Sequence, residues 1–365
     1  MCIRDRYYLI REFIGPFFLS LLVSTMILAT GQIIQVADLI INKGVSALYV
    51  AKLFFFLMPW LLTFTIPISV LSATLLSFGR LASDNEIIAL KSNGISMYRI
   101  ALPVLILGLL VSLFCIPLNN RILPESGFVA RKLIKKIGIK NPLALLEAGV
   151  FVKAFEDYII FVYGIDGNKL KNIRIYQPQE GKPTRVIVAE EGEVTSLPEQ
   201  NAIKLKLKNG SADETLPQDP GNSYKLVFKT YFMTLNFRKA LEVQKIEKKP
   251  REKSIRQLRR EIIQLRRDNI DTIPLYIEIH NKLALAFSNF IFILVGIPIA
   301  VRTHRREKSI NFGLTMVIFL IYWGIMLGGV ACVVRKLIPP WAGIWMADAI
   351  LLCVGIVLFL RMMRK

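Results

Sequence analysis

The sequence predicts an α+β membrane protein in which six transmembrane helices, three before and three after, flank an inserted antiparallel β domain. The composition is 53% hydrophobic with a mean hydropathy of +0.47, which is too apolar for a soluble chain of 365 residues. Each apolar run approaches the roughly 20 residues that a helix needs to cross a bilayer core. The six runs cover approximately residues 13–37, 53–78, 100–118, 283–301, 312–334 and 342–360.

The distribution of basic residues around these runs predicts the orientation of the chain. Segments that share a side with the N-terminus carry most of the lysine and arginine outside the β domain, and basic loops favour the cytoplasmic side. The inserted domain would then lie in the periplasm, and the chain in a bacterial inner membrane. The basic residues on the cytoplasmic side would be Arg4, Arg6, Arg11, Arg80, Lys91, Arg99, Arg302, Arg305, Arg306, Lys308, Arg361, Arg364 and Lys365, against Lys43, Lys52, Arg335 and Lys336 on the other.

The chain therefore divides into three predicted parts: spans one to three in 1–120, a periplasmic domain with flanking helices in 121–271, and spans four to six in 272–365. From residue 150 onward, apolar residues alternate with polar ones, which is typical of strands with one buried face. Short strands without helices between them predict an antiparallel sandwich or β-jellyroll. Turns are predicted at Asp166-Gly167, Glu191-Gly192, Asn209-Gly210 and Pro220-Gly221.

A basic amphipathic helix is predicted at 254–267, directly before the fourth span. Ile255, Leu258, Ile262 and Leu265 fall near one face, and arginines occupy most of the other. Such a helix next to a span is typical of a segment that lies along the membrane surface.

The turn between spans two and three, Gly79–Ser96, contains a short predicted helix near 83–92. Ser83 or Asp84 is suited to cap its N-terminus, and Asn93-Gly94 to end it. Two interpretations remain open from the spacing. The helix docks into a groove on a cytoplasmic motor protein through Glu86, or it is an interfacial helix whose acid favours its own N-terminus.

Polar residues in or near the spans are candidate functional residues, because they are costly in a bilayer. Gln32, Gln35 and Asp38 are three residues apart on one helical face, with Lys43 further out. They either line a lipid cavity or lie level with the headgroups. A second polar cluster, Glu278, His280 and Lys282, is expected at the outer interface, where mutual pairing is favoured over catalysis.

Several classes of function are disfavoured by what the sequence lacks. No G-x-x-x-x-G-K-[ST] motif for ATP phosphates occurs, and no Ser/His/Asp or paired-His arrangement suggests hydrolysis. The four cysteines form no CxxC motif, so neither a metal nor another cofactor is expected. The net charge of +20 indicates anionic partners, but no nucleic-acid-binding pattern accompanies it.

Five motifs, in this order and at this spacing, resemble the LptF/LptG (YjgP/YjgQ) permease family, and the resemblance covers essentially the whole chain. Three places depart from the family pattern, and one of them is Met1–Arg6, which is unlike the family's usual start. Gln32, Gln35 and Asp38 stand where members can carry basic residues, and Asp348 stands where an amide is commoner. The motifs are Tyr8–Glu12, Gly79–Ser96, Glu278–Lys282, Gly296–Pro298 and Pro339–Trp341.

This resemblance implies a permease subunit of an ABC exporter that extracts lipopolysaccharide, or a related anionic glycolipid, from the inner membrane. The chain would not itself be an enzyme, since ATP hydrolysis would belong to a separate cytoplasmic ATPase dimer. The implied partners are a homologous second permease, a periplasmic bridge protein of jellyroll fold and, as a further candidate, a single-span accessory subunit. The family's coupling helix would place Asp84, Glu86, Ile87 and Leu90 at the ATPase contact.

Two other classes of function remain alternatives at this stage. One is a membrane-embedded enzyme that modifies lipids and uses the β domain as a substrate clamp. The other is a structural scaffold that anchors a periplasmic β domain.

Overall fold

A computed structural model of the chain describes residues 3–41, 45–140, 149–155, 158–166, 169–179, 182–197, 202–215, 223–236, 248–268, 270–303 and 308–364. Lys43, Gly167 and Pro220-Gly221 lie outside these residues. Contacts divide the chain into two compact units. The first comprises 1–31, 56–128 and 248–365, and the second comprises 32–55 and 129–247.

Six described helices are long and apolar enough to cross a membrane, so the predicted number and order of spans are confirmed. The third span continues through a π-helical segment, Leu118–Ile122, into the next helix without a break. The helices are α1 (Ile3–Ile41), α2 (Ala47–Ser83), α3 (Glu86–Ser92), α4 (Met97–Pro117), α5 (Leu123–Lys140), α6 (Ile255–Arg267), α7 (Ile273–Thr303), α8 (Lys308–Val334) and α9 (Pro340–Met363).

Helix α7 lies at the centre of the first unit, because most of its apolar length is buried against α2, α4 and α9. Phe292 and Ile293 are completely buried in the same cluster as Leu71 and Leu75 of α2. Large apolar side chains elsewhere point outward, as expected for helices whose solvent is lipid. Examples are Phe18, Met26, Phe114 and Leu320, each at least 62% exposed.

Helices α8 and α9 approach each other closely at Gly329 and Gly343. A Cβ atom on Gly329 would collide with the backbone of Gly343. Small residues at such a crossing let two membrane helices pack backbone to backbone.

The second unit contains one six-stranded antiparallel sheet, which confirms the predicted antiparallel β domain between the third and fourth spans. Each strand pairs with its neighbours in sequence, so the order is β1-β2-β3-β4-β5-β6. The strands are β1 (Phe151–Phe155), β2 (Tyr158–Asp166), β3 (Lys169–Gln179), β4 (Lys182–Leu197), β5 (Ala202–Thr215) and β6 (Ser223–Asn236).

A transverse row of residues, here called the crease, crosses strands β2 to β6. On either side of it the inward-facing positions change parity, although the register of each strand pair is unshifted across it. For example, Ile173 and Leu170 both face the core in β3, and Ala212 and Leu207 both face it in β5. From the strand registers the crease runs through Tyr163, Asn172, Glu190, Asn209 and Lys229.

Two asparagines give the crease its backbone geometry. Asn172 and Asn209 have φ angles of 49° and 50°, a left-handed conformation that asparagine tolerates better than most residues. The buried cluster takes residues from both sides of the crease and from strands alone. The sheet is therefore bent so that both halves enclose one core, in the manner of strands that turn the corner of a sandwich.

The crease corrects two of the predicted turns. Glu191-Gly192 lies inside β4 and Asn209-Gly210 inside β5, so neither pair connects two strands. At Asn209 the turn signal corresponds to a left-handed residue within the strand. Gly192 instead provides room on the core face, where a Cβ atom would collide with the side chain of Ile173.

Candidate functional site

The short helix between the second and third spans is α3, which begins three residues later than predicted. Its N-cap is Asn85 in a left-handed conformation, without a side-chain cap. The expectation that Ser83 or Asp84 caps this helix is therefore wrong; the Ser83 hydroxyl donates to the carbonyl of Arg80 instead, at 3.0 Å. The predicted end is confirmed, since Asn93 is the C-cap and Gly94 follows with a φ of 76°.

Helix α3 is held to the bundle by its apolar side. Ile87 is 4% exposed within the core of the helical unit, and Leu90 packs against that core. On the other side, Ile88 is 57% exposed and Asp84 is also exposed. The four candidate coupling residues are therefore split between an apolar anchor (Ile87 buried, Leu90 half-buried) and a solvent-facing side (Asp84, with Glu86 half-buried).

Glu86 belongs to a network of four polar side chains, here called the Arg80 cluster: Tyr8, Glu12, Arg80 and Glu86. The Tyr8 hydroxyl donates to Glu86 Oε2 at 2.8 Å and accepts from Arg80 Nη2 at 3.0 Å. Arg80 Nη2 also lies 2.9 Å from Glu12 Oε2 and 3.8 Å from Glu86 Oε1. The start of α3 is thus tied to both α1 and α2.

The Arg80 cluster contains two carboxylates for one guanidinium, so it carries excess negative charge. Arg80 donates to Glu12 and to the Tyr8 hydroxyl, whereas Glu86 is the more distant of its two ion-pair partners. The side chains of Arg80, Glu12 and Glu86 are 45%, 20% and 34% exposed. Exposed pairs of this kind are weak, typically below about 1 kcal/mol. A basic side chain from outside can therefore compete for Glu86 at low cost.

The candidate cavity residues lie along the last turns of α1. Gln35 is exposed, and Gln32 and Asp38 are half-buried. Lys43, the fourth candidate, lies outside the described residues. The side chains keep the predicted three-residue spacing on one helix.

The second polar cluster converges only in part: Glu278 and Lys282 interact electrostatically one turn apart on α7, whereas His280 has a separate partner. Glu278 lies 4.0 Å from Arg251, and His280 Nδ1 accepts from Trp345 Nε1 at 3.3 Å. Lys282 is only 3% exposed; its Nζ donates to the carbonyl oxygen of Lys253 at 2.7 Å and lies 3.4 Å from that of Arg251. Lys282 thus fastens the segment that returns from the β domain onto α7.

Sequence reasoning missed the partners of Glu86. Tyr8 and Glu12 were noted only within a family motif, although their four-residue spacing places them on one face of α1. Arg80 lies 72 residues from Tyr8, and its proximity follows only from the packing of α1 on α2. Asn120 was also missed; its Oδ1 accepts the backbone amide of Ile255 at 2.8 Å and so holds the start of α6.

Within the described residues, no group of three or more His, Cys, Asp or Glu side chains is placed to hold a metal ion. Glu278 and His280 also have separate partners. These polar side chains therefore supply contacts between segments that are distant in sequence.

Six candidate spans with an antiparallel β domain inserted between the third and fourth define a multi-pass membrane protein with an extramembrane domain. The short helix α3 lies at the turn between the second and third spans and is anchored in the core by Ile87. Over residues 7–361 the chain matches the family described as "Lipopolysaccharide export system permease LptF/LptG", and it belongs to that family.

Individual relatives agree with the family match. The LptF permease protein of the lipopolysaccharide export system of Escherichia coli K12 is 20% identical over 356 residues, covering 96% of this chain and 93% of the relative. The Shigella flexneri LptF matches to the same extent. An uncharacterised Rickettsia prowazekii protein, RP871, is 23% identical over 309 residues, which is 83% of either chain.

Proposed function

We propose that this chain is a permease subunit of an ABC transporter that extracts lipopolysaccharide, or a related anionic glycolipid, from the inner membrane. The cargo would pass to a periplasmic bridge of jellyroll domains through the inserted sheet of this chain. The observation that carries the proposal is the family match over residues 7–361, which spans all six helices and the inserted domain.

The orientation follows from the charge of the short loops. With the basic turns in the cytoplasm, α3 faces the cytoplasm and the β domain faces the periplasm. The partners would be a homologous second permease, a cytoplasmic ATPase dimer, the bridge protein and a single-span accessory subunit as a further candidate. Cys115, Cys332 and Cys353 are free cysteines, and no step of the proposed transport uses their thiols.

In this proposal α3 transmits motion between the ATPase and the spans. Ile87 and Leu90 fix the helix to the bundle, while the exposed Asp84 and the half-buried Glu86 lie at its N-terminal end. Because Tyr8 and Arg80 connect Glu86 to α1 and α2, a partner that binds Glu86 would rearrange the contacts of α3 with both helices. Gln32, Gln35 and Asp38 on α1 would then meet headgroup oxygens of the lipid by hydrogen bonding.

The test is the substitution Glu86→Arg in the complex purified with its ATPase. A positive charge at this position would repel a basic side chain on the motor and also face Arg80, so we expect lipid-stimulated ATP hydrolysis to fall at least fivefold. Glu86→Gln should have a smaller effect in the same direction, because it removes the charge but keeps a hydrogen-bonding group.

Glu125→Arg is the matched control. Glu125 is an exposed acid near the opposite end of the third span, and its ion pair among the described residues is the i,i+4 pair with Arg121. Unchanged assembly and unchanged lipid-stimulated turnover in the Glu86→Arg complex would refute the role of Glu86. Mass spectrometry of lipid retained by the parent complex tests the cargo separately, and retention of phospholipids alone would refute the glycolipid assignment.

A further inference from the structure

The apolar face of helix α6 packs against α7. Leu258 and Ile262 are 0% and 5% exposed, and they pack on Leu275 and Ile279 in the first two turns of α7. A capping box between Ser254 and Gln257 fixes its N-terminus. The helix is therefore firmly docked, and its apolar stripe is not available to lipid.

A second face of α6, here called the arginine face, remains uncovered. At about 100° per residue, its five arginines fall within an arc of roughly 120° beside the apolar stripe. All five are exposed, and none forms an ion pair within the described part of the chain. The arginine face consists of Arg256, Arg259, Arg260, Arg266 and Arg267.

Ile263 lies near the middle of the arginine face and is 59% exposed. The only acid of the helix, Glu261, lies on the opposite flank, where both of its carboxylate oxygens contact Lys253 Nζ at 2.6 Å. The charge of the arginines is therefore not compensated by their own helix. An exposed apolar side chain surrounded by arginines is typical of a surface in contact with a membrane interface.

The position of α6 along α7 agrees with such a contact. The 31 residues of α7 extend about 46 Å at 1.5 Å per residue, whereas the bilayer core is about 30 Å thick. The apolar run 283–301 accounts for the thickness of the core, so the polar first turns of α7, with Glu278 and Lys282, fall toward the headgroup region. Because α6 packs on those turns, its arginines are at the level of lipid phosphates.

We propose that the arginine face binds the phosphate groups of anionic phospholipids, in the leaflet at the end where the chain returns from the β domain. Guanidinium groups match phosphate oxygens in a bidentate geometry, and each basic residue near an anionic surface strengthens binding about fivefold. Ile263 inserts beside the acyl chains between the bound headgroups. This site holds lipids of the surrounding bilayer and does not depend on which cargo the chain transports.

The test is the double substitution Arg259→Gln with Arg266→Gln in the full chain, purified in neutral detergent. Native mass spectrometry would follow the binding of dioleoylphosphatidylglycerol and of dioleoylphosphatidylcholine. We expect the affinity for phosphatidylglycerol to fall at least fivefold and that for phosphatidylcholine to change less than twofold. Arg259→Lys with Arg266→Lys keeps the charge and should retain most of the binding, which excludes misfolding as the cause.

The charge-matched control is Lys225→Gln with Lys229→Gln, two exposed residues of β6. It should leave the affinity for phosphatidylglycerol unchanged. The proposal is overturned if the Arg259/Arg266 variant binds phosphatidylglycerol like the parent, or if the control loses as much affinity. It is also overturned if the variant keeps its lipids and instead loses a copurifying protein.

Discussion

The Arg80 cluster and the surroundings of Lys282 both join segments distant in sequence, but they do so with different chemistry. Around Arg80, four side chains that are partly exposed contact one another. Around Lys282, a buried ammonium group contacts backbone carbonyl oxygens of the Pro250–Lys253 segment. The first arrangement connects α3 to α1 and α2; the second connects the returning chain to α7.

This difference determines how much free energy it costs to break each connection. Exposed ion pairs contribute little and exchange readily with solvent or with a partner's charges. A buried charge that satisfies backbone groups is costly to remove, because its partners remain buried without a hydrogen bond. The Lys282 connection is therefore fixed, whereas the Arg80 cluster can be rearranged.

The strongest test of this contrast is Lys282→Met. The substitution leaves the carbonyl oxygens of Arg251 and Lys253 without their donor, so we expect a loss of about 2–3 kcal/mol in stability. Thermal unfolding of the purified chain would measure it. Lys91→Met, at the exposed end of α3, is the matched control and should change the melting temperature little. Equal melting temperatures for both variants would contradict the assignment of Lys282 as a fixed connection.

A smaller effect is expected for Asn120→Ala, which removes the acceptor for the Ile255 amide. Loss of one hydrogen bond at the start of α6 should cost about 1 kcal/mol. Hydrogen exchange of the Ile255 amide should accelerate, while Asn120→Asp, which keeps the acceptor oxygen, should restore protection. If the amide exchanged equally in all three proteins, Asn120 would have no part in holding α6.

Substitutions in the Arg80 cluster should affect stability still less. A double-mutant cycle of Glu12→Gln and Arg80→Gln should give a coupling energy of about 0.2–1 kcal/mol. The coupling should shrink in high salt, as expected for exposed charges. A value above about 2 kcal/mol, or one insensitive to salt, would show that the cluster is as fixed as Lys282.

The smallest effect is expected for an exposed pair in the sheet, Lys208 with Glu193, whose charged atoms are 2.7 Å apart. The hydrogen bond from Lys208 lowers the pKa of Glu193, and the same bond raises the pKa of Lys208. A carboxyl with a lowered pKa stabilises the fold above its unfolded pKa and loses this contribution as the pH falls through the folded value. Lys208, whose pKa is raised, stabilises the fold below its unfolded pKa. This contribution is lost as the pH rises through the folded pKa of Lys208.

Unfolding of Lys208→Gln compared with the parent would measure this dependence. The difference between the two proteins should be greatest near neutral pH and should vanish in acid. A difference that persisted below the pKa of Glu193 would have to come from something other than this ion pair.

The sequence was sufficient for the features that depend on local pattern. Length and hydropathy located the six spans, and alternation of apolar residues located the six strands, because each property is set within about 20 residues. Features that depend on packing between distant segments were not predictable. The contact of Tyr8 with Arg80 spans 72 residues, and nothing local distinguishes the apolar stripe of α6 as one that packs on α7.

The position of the crease in mid-strand determines where residues can be inserted or deleted without changing the bend of the sheet. The bend is set by Asn172, Asn209 and their neighbours in mid-strand, not by the connections at the strand ends. Insertions beyond the strand ends would therefore leave the angle between the two halves intact. Deleting a single residue next to Asn209 would instead invert the pleat on one half of β5, turning Leu205 and Leu207 toward solvent and Lys204 and Lys206 toward the core.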